Sequence, residues 1–345
     1  MSNEKVGLLP KTAYKSHIGT EDSSSQKKPI LIAPDARAAL PHLLSEEDYS
    51  TLLAKSDHGI DHGGLTLHTP QLSRLLQVKR YENEQPQFVH RWVLKEILSQ
   101  GVTVERGRRV VKYVEERETD GAVSRVGLHF ENNTTEWGDL VIGADGLGSI
   151  LRSQLSPAHS RFPLLPYIVI SLKLTTTPAD LPLPDPRGIN MALGSLGYSV
   201  LLVPFSGKSL PKTELPSSSS SNDLLLSTSP EESLLLKALD DPQTGFLYSN
   251  VTIPAFDGWE DLTASTWQQH IADLLRRDHA DERLITAFET QAIPRTVTAW
   301  QVVSCDSKFP VPWKQGGRVV LIGDSVHVMP PQASVNNEDC LCFRF

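Results

Sequence analysis

A short apolar run near the C-terminus, residues 319–322, is the feature that most constrains how this chain can fold. It is followed at once by Gly323 and Asp324. A wholly apolar run that stops at a glycine predicts a buried strand of a parallel sheet. Such strands deliver the next residues to the edge of the sheet where open α/β folds bind ligands. We therefore predict that Asp324 lies at a ligand-binding edge.

A second run of the same design lies upstream, where residues 140–142 are followed by Gly143, Asp145 and Gly146. A carboxylate at the end of a strand can accept hydroxyl hydrogens, as from a ribose. Gly146 would let another backbone approach closely. Aspartates after strands also commonly end turns, so each segment alone leaves both interpretations open.

Composition excludes several classes of protein. At 345 residues, 39% hydrophobic and 21% charged, the chain is typical of a soluble globular protein with two domains. A net charge of −8 argues against a nucleic-acid partner. Three cysteines give no disulfide framework, which favours a reducing, cytoplasmic location. No apolar run is long enough for a membrane-spanning segment.

The chain divides by composition into segments of different character. Residues 1–29 are polar and rich in serine and lysine, which predicts a flexible tail. Residues 30–155 carry the pattern of an α/β domain, to which the chain returns at 315–345. Residues 160–303 show the alternation and turn signals of an antiparallel sheet domain, with a flexible serine-rich insertion at 206–232.

Several elements can be placed within these segments. The apolar spacing of residues 88–98 predicts a helix with Arg91 in its first turn. A cation there opposes the helix dipole, which indicates either a role with an anion or a solvated side chain. Glycines within 194–197, between two apolar runs, predict a β-hairpin. Further strands are predicted at 102–104, 110–114, 123–129, 167–174 and 297–303, and helices at 265–277 and 281–288.

The ordered pair of Gly–Asp motifs resembles a known family. Residues 139–152 resemble the DG motif of FAD-dependent aromatic-ring monooxygenases, the group that includes p-hydroxybenzoate and salicylate hydroxylases. Residues 323–331 are similar to the GD motif of the same family, and residues 89–98 to its arginine-bearing helix. The resemblance runs from roughly residue 30 to residue 331. It implies an α/β, Rossmann-like FAD-binding scaffold of the glutathione-reductase type with an inserted antiparallel substrate-binding sheet.

The resemblance also implies which residues bind the cofactor. Asp324, after Gly323, would bind the ribityl or ribose region of FAD. Asp145 and Gly146 would help to bind FAD and NADPH, with Arg152 supporting their loop. The remaining implied contacts are Arg91 on the flavin side of the cleft, and Pro330 and Pro331 near the isoalloxazine ring.

The reaction implied is a monooxygenation. NADPH or NADH would reduce the flavin, molecular oxygen would form a C4a-hydroperoxide, and an aromatic or unsaturated small molecule would be hydroxylated or epoxidised. The flavin supplies this chemistry, so we expect no obligatory catalytic side chain and no metal. His327 is interpreted as a packing residue of the motif.

Two departures from the family pattern weaken the expected flavin binding. The family opens with a strand and a G-x-G-x-x-G turn that holds the FAD pyrophosphate, and this chain has no such turn. The first βαβ unit is therefore expected to be missing. The glycines that follow the family's GD motif are also absent after Pro331. We expect a family member truncated at both ends.

Other functions remain open. The chain could be a non-catalytic, flavoprotein-like remnant or an interaction module. Gly323–Asp324–Ser325 also resembles the opening block of GDS-type hydrolases, with Ser325 as nucleophile, although no Asp-x-x-His follows it. His58 and His62, four residues apart with aspartates between them, could hold a metal, but the nearby glycines favour a solvated turn over a helix that presents both rings on one face. A zinc site at His327, Cys340 and Cys342 lacks a recognisable paired spacing.

Overall fold

The computed structural model describes residues 29–32, 34–54, 64–78, 87–105, 107–175, 180–186, 188–205, 246–305, 317–328 and 330. These residues form two compact units. Unit 1 takes its described residues from 98–167 and 301–330, and unit 2 from 29–97 and 168–300. The predicted tail as far as residue 28 and the predicted insertion at 206–232 lie outside the described residues.

The elements are numbered in chain order. The strands are β1 Pro29–Ile32, β2 Leu65–His68, β3 Arg74–Val78, β4 Gln87–His90, β5 Val110–Arg117, β6 Val123–Phe130, β7 Thr135–Gly138, β8 Val141–Gly143, β9 Leu164–Leu174, β10 Ile189–Leu193, β11 Ser199–Phe205, β12 Phe246–Pro254, β13 Thr298–Val303 and β14 Val319–Leu321. The helices are α1 Pro34–Leu43, α2 Glu46–Ala54, α3 Arg91–Leu98, α4 Ile150–Leu155, α5 Ala264–Arg277 and α6 Glu282–Thr290.

Unit 2 is built on a seven-stranded sheet with the strand order β13-β9-β12-β11-β10-β2-β3. The pairs β10–β11, β11–β12 and β2–β3 are antiparallel, whereas β10 and β2 run parallel, with Ile189 opposite Leu65. Strand alternation gives this sheet two different faces. One face carries the aliphatic side chains of the main core, including Ile170, Leu172 and Leu202.

Helices α5 and α6 cover that aliphatic face. Their apolar stripes supply Trp267, Leu275 and Phe288 to the same core cluster, and each of these side chains is fully buried. The helices begin at side-chain caps, because Thr263 Oγ1 accepts from the Thr266 N–H and Asp281 Oδ1 accepts from the Arg283 N–H. The helices predicted at 265–277 and 281–288 are thus confirmed.

The predicted hairpin is also confirmed. Strands β10 and β11 are joined by a tight turn in which the Gly194 N–H donates to the Tyr198 carbonyl at 2.9 Å. A Cβ at Gly194 would lie 2.1 Å from the Tyr198 ring, and Gly197 has a φ of +79°. Both positions of the turn therefore require glycine.

Unit 1 contains a parallel pair, β8 and β14, and a three-stranded antiparallel sheet of order β5-β6-β7. Val319 lies opposite Val141 and Leu321 opposite Gly143. The core of this unit joins both sheets to helix α4, through residues that include Tyr113, Val126, Leu151 and Leu321. The two apolar runs that end in Gly–Asp are strands of a parallel pair, as predicted for each run, and the structure shows in addition that they are neighbours.

Two sequence predictions need correction, and one strand was not predicted. The helix predicted at 88–98 begins only at Arg91, because residues 87–90 pair antiparallel with β1 and place Val89 opposite Ile30. Residues 102–104 form no strand, and Val102 is 58% exposed, so the alternating valines there do not pack. Strand β12 was not among the predicted strands, although it is central to the large sheet.

Candidate functional site

The parallel pairing of β8 and β14 brings the two Gly–Asp turns to the same edge of their sheet. The Ile322 N–H donates to the Gly143 carbonyl at 2.9 Å, which fixes the two strand ends side by side. Gly143 permits this approach, since a Cβ there would lie 2.7 Å from Leu321 and 2.8 Å from Leu151. The turns that carry Asp145 and Asp324 leave the sheet from this edge.

Asp145 is buried, and its carboxylate is only partly hydrogen-bonded. Its Oδ2 accepts from the Leu151 N–H at 3.3 Å, in the first turn of α4. Its Oδ1 is also buried, yet it has no hydrogen-bond partner within the part of the chain that the structure describes. An unsatisfied buried carboxylate oxygen is costly, so Oδ1 is suited to accept a hydroxyl or N–H from a bound molecule. Gly146 follows in the left-handed region, with a φ of +72°.

Arg152 joins the two Asp-bearing turns from inside unit 1. The side chain is 1% exposed, and its guanidinium carbon lies 4.2 Å from the centroid of the Phe162 ring. Its Nη1 donates to the Ser325 carbonyl at 2.8 Å, which ties the loop after β8 to the turn after β14. Other guanidinium N–H groups donate to the backbone carbonyls of Gly146, Leu147, His159 and Ser160. Arg152 therefore holds the shape of the edge.

The turn after β14 exposes its aspartate and buries its serine. Gly323 has a φ of +62°, and Asp324 is exposed. Ser325 is fully buried, and its hydroxyl contacts the carbonyls of Gly143 at 2.8 Å and Ile322 at 2.7 Å. A buried hydroxyl engaged with two backbone carbonyls cannot reach a substrate. The hydrolase hypothesis with Ser325 as nucleophile is therefore wrong.

The other predicted site residues are placed as follows. Arg91 is the first residue of α3 in unit 2, where it is exposed and makes no ion pair with another described residue. His327 and Pro330 are half-buried in unit 1. Pro331, His58, His62, Cys340 and Cys342 lie outside the described residues. Among the residues that the structure describes, no group of three or more His, Cys, Asp and Glu side chains could hold a metal ion.

A polar group that the sequence did not reveal lies on the second face of the large sheet in unit 2. The Ser171 hydroxyl on β9 is 2.8 Å from the Tyr248 hydroxyl on β12 and also donates to Oδ1 of Asn250. Burial raises the pKa of Tyr248, which keeps the phenol neutral. The period-two alternation of residues 246–253 was the available signal, because it places Phe246, Tyr248 and Asn250 on one face.

The chain is similar to known proteins in its structure, and not in its sequence. No protein-family model and no curated protein matches it. Solved structures do match. A protein described as an FAD-containing monooxygenase from Photorhabdus luminescens is 19% identical, with a TM-score of 0.65 over 93% of this chain and 74% of its own.

Two further neighbours have the same architecture. HpxO from Klebsiella pneumoniae, solved with FAD and uric acid, is 15% identical, with a TM-score of 0.63 over 91% of this chain and 67% of its own. The 2,6-dihydroxypyridine-3-hydroxylase from Arthrobacter nicotinovorans is 12% identical, with a TM-score of 0.58 over 92% of this chain and 72% of its own. The chain has the fold of FAD-containing monooxygenases.

This likeness confirms the mixed α/β fold and the structural resemblance inferred from the two Gly–Asp motifs. At such low identity it is a statement about the fold alone. None of the described helices is long and apolar enough to cross a membrane.

Proposed function

We propose that this chain is an FAD-dependent monooxygenase of the reducing cytoplasm. It would use NADPH or NADH and molecular oxygen to hydroxylate or epoxidise a planar aromatic or unsaturated small molecule. The observation that carries the proposal is the convergence of two Asp-bearing turns at one edge of a parallel strand pair, within a fold shared with FAD-containing monooxygenases. In open α/β sheets this carboxyl edge is the ligand-binding edge.

The residues at this edge fit the hydroxyl-rich part of FAD. The buried Oδ1 of Asp145 lacks a partner among the described residues, and a ribityl or ribose hydroxyl would supply one. Asp324 presents its carboxylate at the surface of the same edge. Gly146 and Gly323 hold both turns in left-handed conformations that keep side chains away from a bound cofactor.

Each remaining predicted residue receives a role within this proposal. Arg152 would position the two turns through the backbone carbonyls that it contacts. Pro330 and Pro331 would flank the isoalloxazine ring, and Arg91 would face an anionic group of the cofactor. Unit 1 would then be an FAD-binding Rossmann-like scaffold, and the 345 residues contain no G-x-G-x-x-G turn.

When bound and reduced by NADPH or NADH, the flavin would activate oxygen for transfer to the substrate. The protein's own residues would bind and orient the two molecules. Unit 2 would supply the substrate-binding sheet. Uric acid, which was solved with HpxO, and the dihydroxypyridine in the name of the hydroxylase favour a planar ring as substrate.

Flavin retention tests the proposal. The purified 345-residue chain is incubated with FAD and separated from free flavin by gel filtration, and its visible absorption is recorded. We expect stoichiometric co-elution of flavin, followed by bleaching of the flavin band when NADPH or NADH is added without oxygen. Asp145→Asn and Asp324→Asn should each lower retention by about tenfold or more, because a hydrogen bond to a charged acceptor contributes about 1.5–3 kcal/mol.

Asp139→Asn is the matched control, since Asp139 is an exposed aspartate of the same unit. It should leave flavin retention unchanged. A protein that elutes folded but colourless at saturating FAD would refute the proposal. The alternative, a non-catalytic flavoprotein-like remnant or interaction module, would then stand.

A further inference from the structure

The second face of the large sheet combines an apolar floor with a small polar group. Phe246, Val203 and Ile189 are 3%, 2% and 4% exposed and form one cluster on this face. Leu65, Leu201 and the Tyr248 ring pack against them and stay half-buried. Helices α5 and α6 occupy the opposite face. Tyr248 and Asn250 are therefore half-buried residues whose side chains lie on the same face as this apolar cluster.

The hydrogen bonds of this group fix the direction of its protons. Ser171 has a single hydroxyl proton, and that proton goes to Oδ1 of Asn250. The 2.8 Å bond between Ser171 and Tyr248 must then be donated by the phenol. The Tyr248 oxygen still has lone pairs that can accept a hydrogen bond. The Asn250 Nδ2 carries two protons, at most one of which can be directed at the nearby phenol oxygen.

This network presents an N–H donor beside an oxygen acceptor. The complementary ligand edge is a carbonyl next to an N–H, which is the edge of a cyclic amide. A planar ring that carries such an edge would also bury its apolar face on the floor of the cluster. Fixed polar groups on an apolar wall are the usual means by which a pocket selects one ring from others of similar shape.

The charges of this face favour a neutral ligand. On β9, β11 and β12, the strands that carry or flank the polar group, the one cation is Lys173, and strand alternation places it on this face. It is 5% exposed, and its ammonium nitrogen lies 4.4 Å from the centroid of the Phe246 ring. A carboxylate ligand would require an accessible arginine or lysine to balance its charge. Tyr248 and Asn250 offer only uncharged groups.

We propose that Tyr248 and Asn250 are specificity-determining residues that bind the lactam edge of a neutral, planar, ring-shaped substrate. The Asn250 Nδ2 donates to the ring carbonyl, and the Tyr248 oxygen accepts from the ring N–H. Ser171 positions both side chains. This inference rests on the proposed function, because it names the substrate class of that monooxygenase.

Calorimetric titration of the full chain in saturating FAD tests the assignment. The probe is 2-quinolone, a fused planar lactam. Its matched control is 2-methoxyquinoline, which has the same rings but neither the N–H nor the carbonyl, and salicylate supplies a planar carboxylate. We expect 2-quinolone to bind about tenfold or more tightly than either, since polar groups left unpaired by the wrong ligand are costly.

Substitutions of Tyr248 and Asn250 test whether these two side chains bind the lactam. Tyr248→Phe and Asn250→Leu should each weaken 2-quinolone binding by about tenfold, corresponding to one lost hydrogen bond, and leave 2-methoxyquinoline binding unchanged. Ser199→Ala, a half-buried polar position on the same face, serves as the control and should change neither titration. Circular dichroism establishes that each variant is folded, and Tyr248→Phe keeps the aromatic ring that packs on the floor.

The results separate this inference from the proposed function. A chain that retains and reduces FAD, yet binds 2-quinolone no better than 2-methoxyquinoline or salicylate, overturns the lactam assignment alone. Unchanged 2-quinolone binding by Tyr248→Phe and Asn250→Leu overturns it as well. A colourless chain that still binds 2-quinolone through these residues overturns the flavin proposal alone, and a colourless chain without binding overturns both.

Discussion

The two units of the molecule are held together in different ways. Unit 2 is stabilised by a large apolar core between its seven-stranded sheet and helices α5 and α6. Unit 1 has a smaller apolar cluster, and the largest fully buried side chain among its described residues is the charged Arg152, which contacts backbone carbonyls of several loops.

The two units therefore depend on the identity of their residues to different degrees. In the core of unit 2 many aliphatic positions share the stabilisation, and such positions tolerate hydrophobic substitutions that conserve volume. In unit 1 a few residues of fixed identity determine the shape of the loops, because the geometry of a guanidinium fork or the absence of a Cβ has no substitute. We therefore expect conservative substitutions to be more damaging at Arg152 and Gly143 than at aliphatic core positions of unit 2, and the following tests examine that contrast.

The largest effect is expected at Arg152. Arg152→Met leaves the carbonyls of Gly146, Leu147 and Ser325 without their donor in a buried site, and the loss should reach about 3–5 kcal/mol of unfolding free energy. Urea unfolding followed by circular dichroism measures it. Arg125→Met, which removes an arginine that is 51% exposed in the same unit, is the control and should change little. Equal effects of the two substitutions would contradict the structural role that the buried contacts of Arg152 give it.

A smaller effect is expected at Gly143. In Gly143→Ala the new methyl group would meet Leu321 and Leu151 at 2.7 and 2.8 Å, and the overpacking should cost about 1–3 kcal/mol. Gly138→Ala is the matched control, because its Cβ would have only an ordinary 3.9 Å contact with the Leu140 carbonyl. Thermal unfolding of both variants measures the difference. A Gly143→Ala protein as stable as the Gly138→Ala protein would mean that the strand ends can separate freely.

The smallest effect concerns a buried polar residue of unit 2. His68 is fully buried, its Nδ1 lies 2.8 Å from the Thr69 carbonyl, and burial lowers its pKa below the ordinary 6.5. Protonation therefore favours the unfolded chain, so this residue leaves stability unaffected above pH 6.5 and reduces it as the pH falls below that value.

Urea unfolding measured between neutral and mildly acidic pH should reveal this loss, and His68→Gln should make the dependence shallower. His270 also has a lowered pKa, because of burial and the nearby Arg277, so His270→Gln is the companion variant. Identical slopes for the parent chain and both variants would contradict the assignment.

The parts of the fold that follow from local patterns could be predicted from sequence. The strands before Gly143 and Gly323 and the turn at Gly194 depend on residues that are adjacent in the chain. The position of Asp145 and Asp324 just after buried strands followed from the same local pattern, whereas the pairing of those two strands was not predicted.

Features that depend on distant pairing could not be predicted. Ser171 and Tyr248 are 77 residues apart and meet only because β9 and β12 are neighbours in the sheet. Ser325 could be judged as a nucleophile only once its carbonyl partners were placed. The strand at 87–90 was taken for helix because its partner, β1, lies outside any local window.

The parallel pairing of β2 with β10 also sets an order of events during synthesis. Strands β2 and β3 can form their hairpin as soon as residue 78 leaves the ribosome, but they can join the sheet only after residues 189–192 have followed. During that interval the hairpin has no neighbouring strands to pack against, so the apolar side chains of β3 stay in contact with water. Two of them, Leu75 and Leu76, are 59% and 53% exposed even in the folded chain. Exposed strand edges of this kind are sites of misassembly, so we expect nascent chains paused before residue 189 to depend on chaperones.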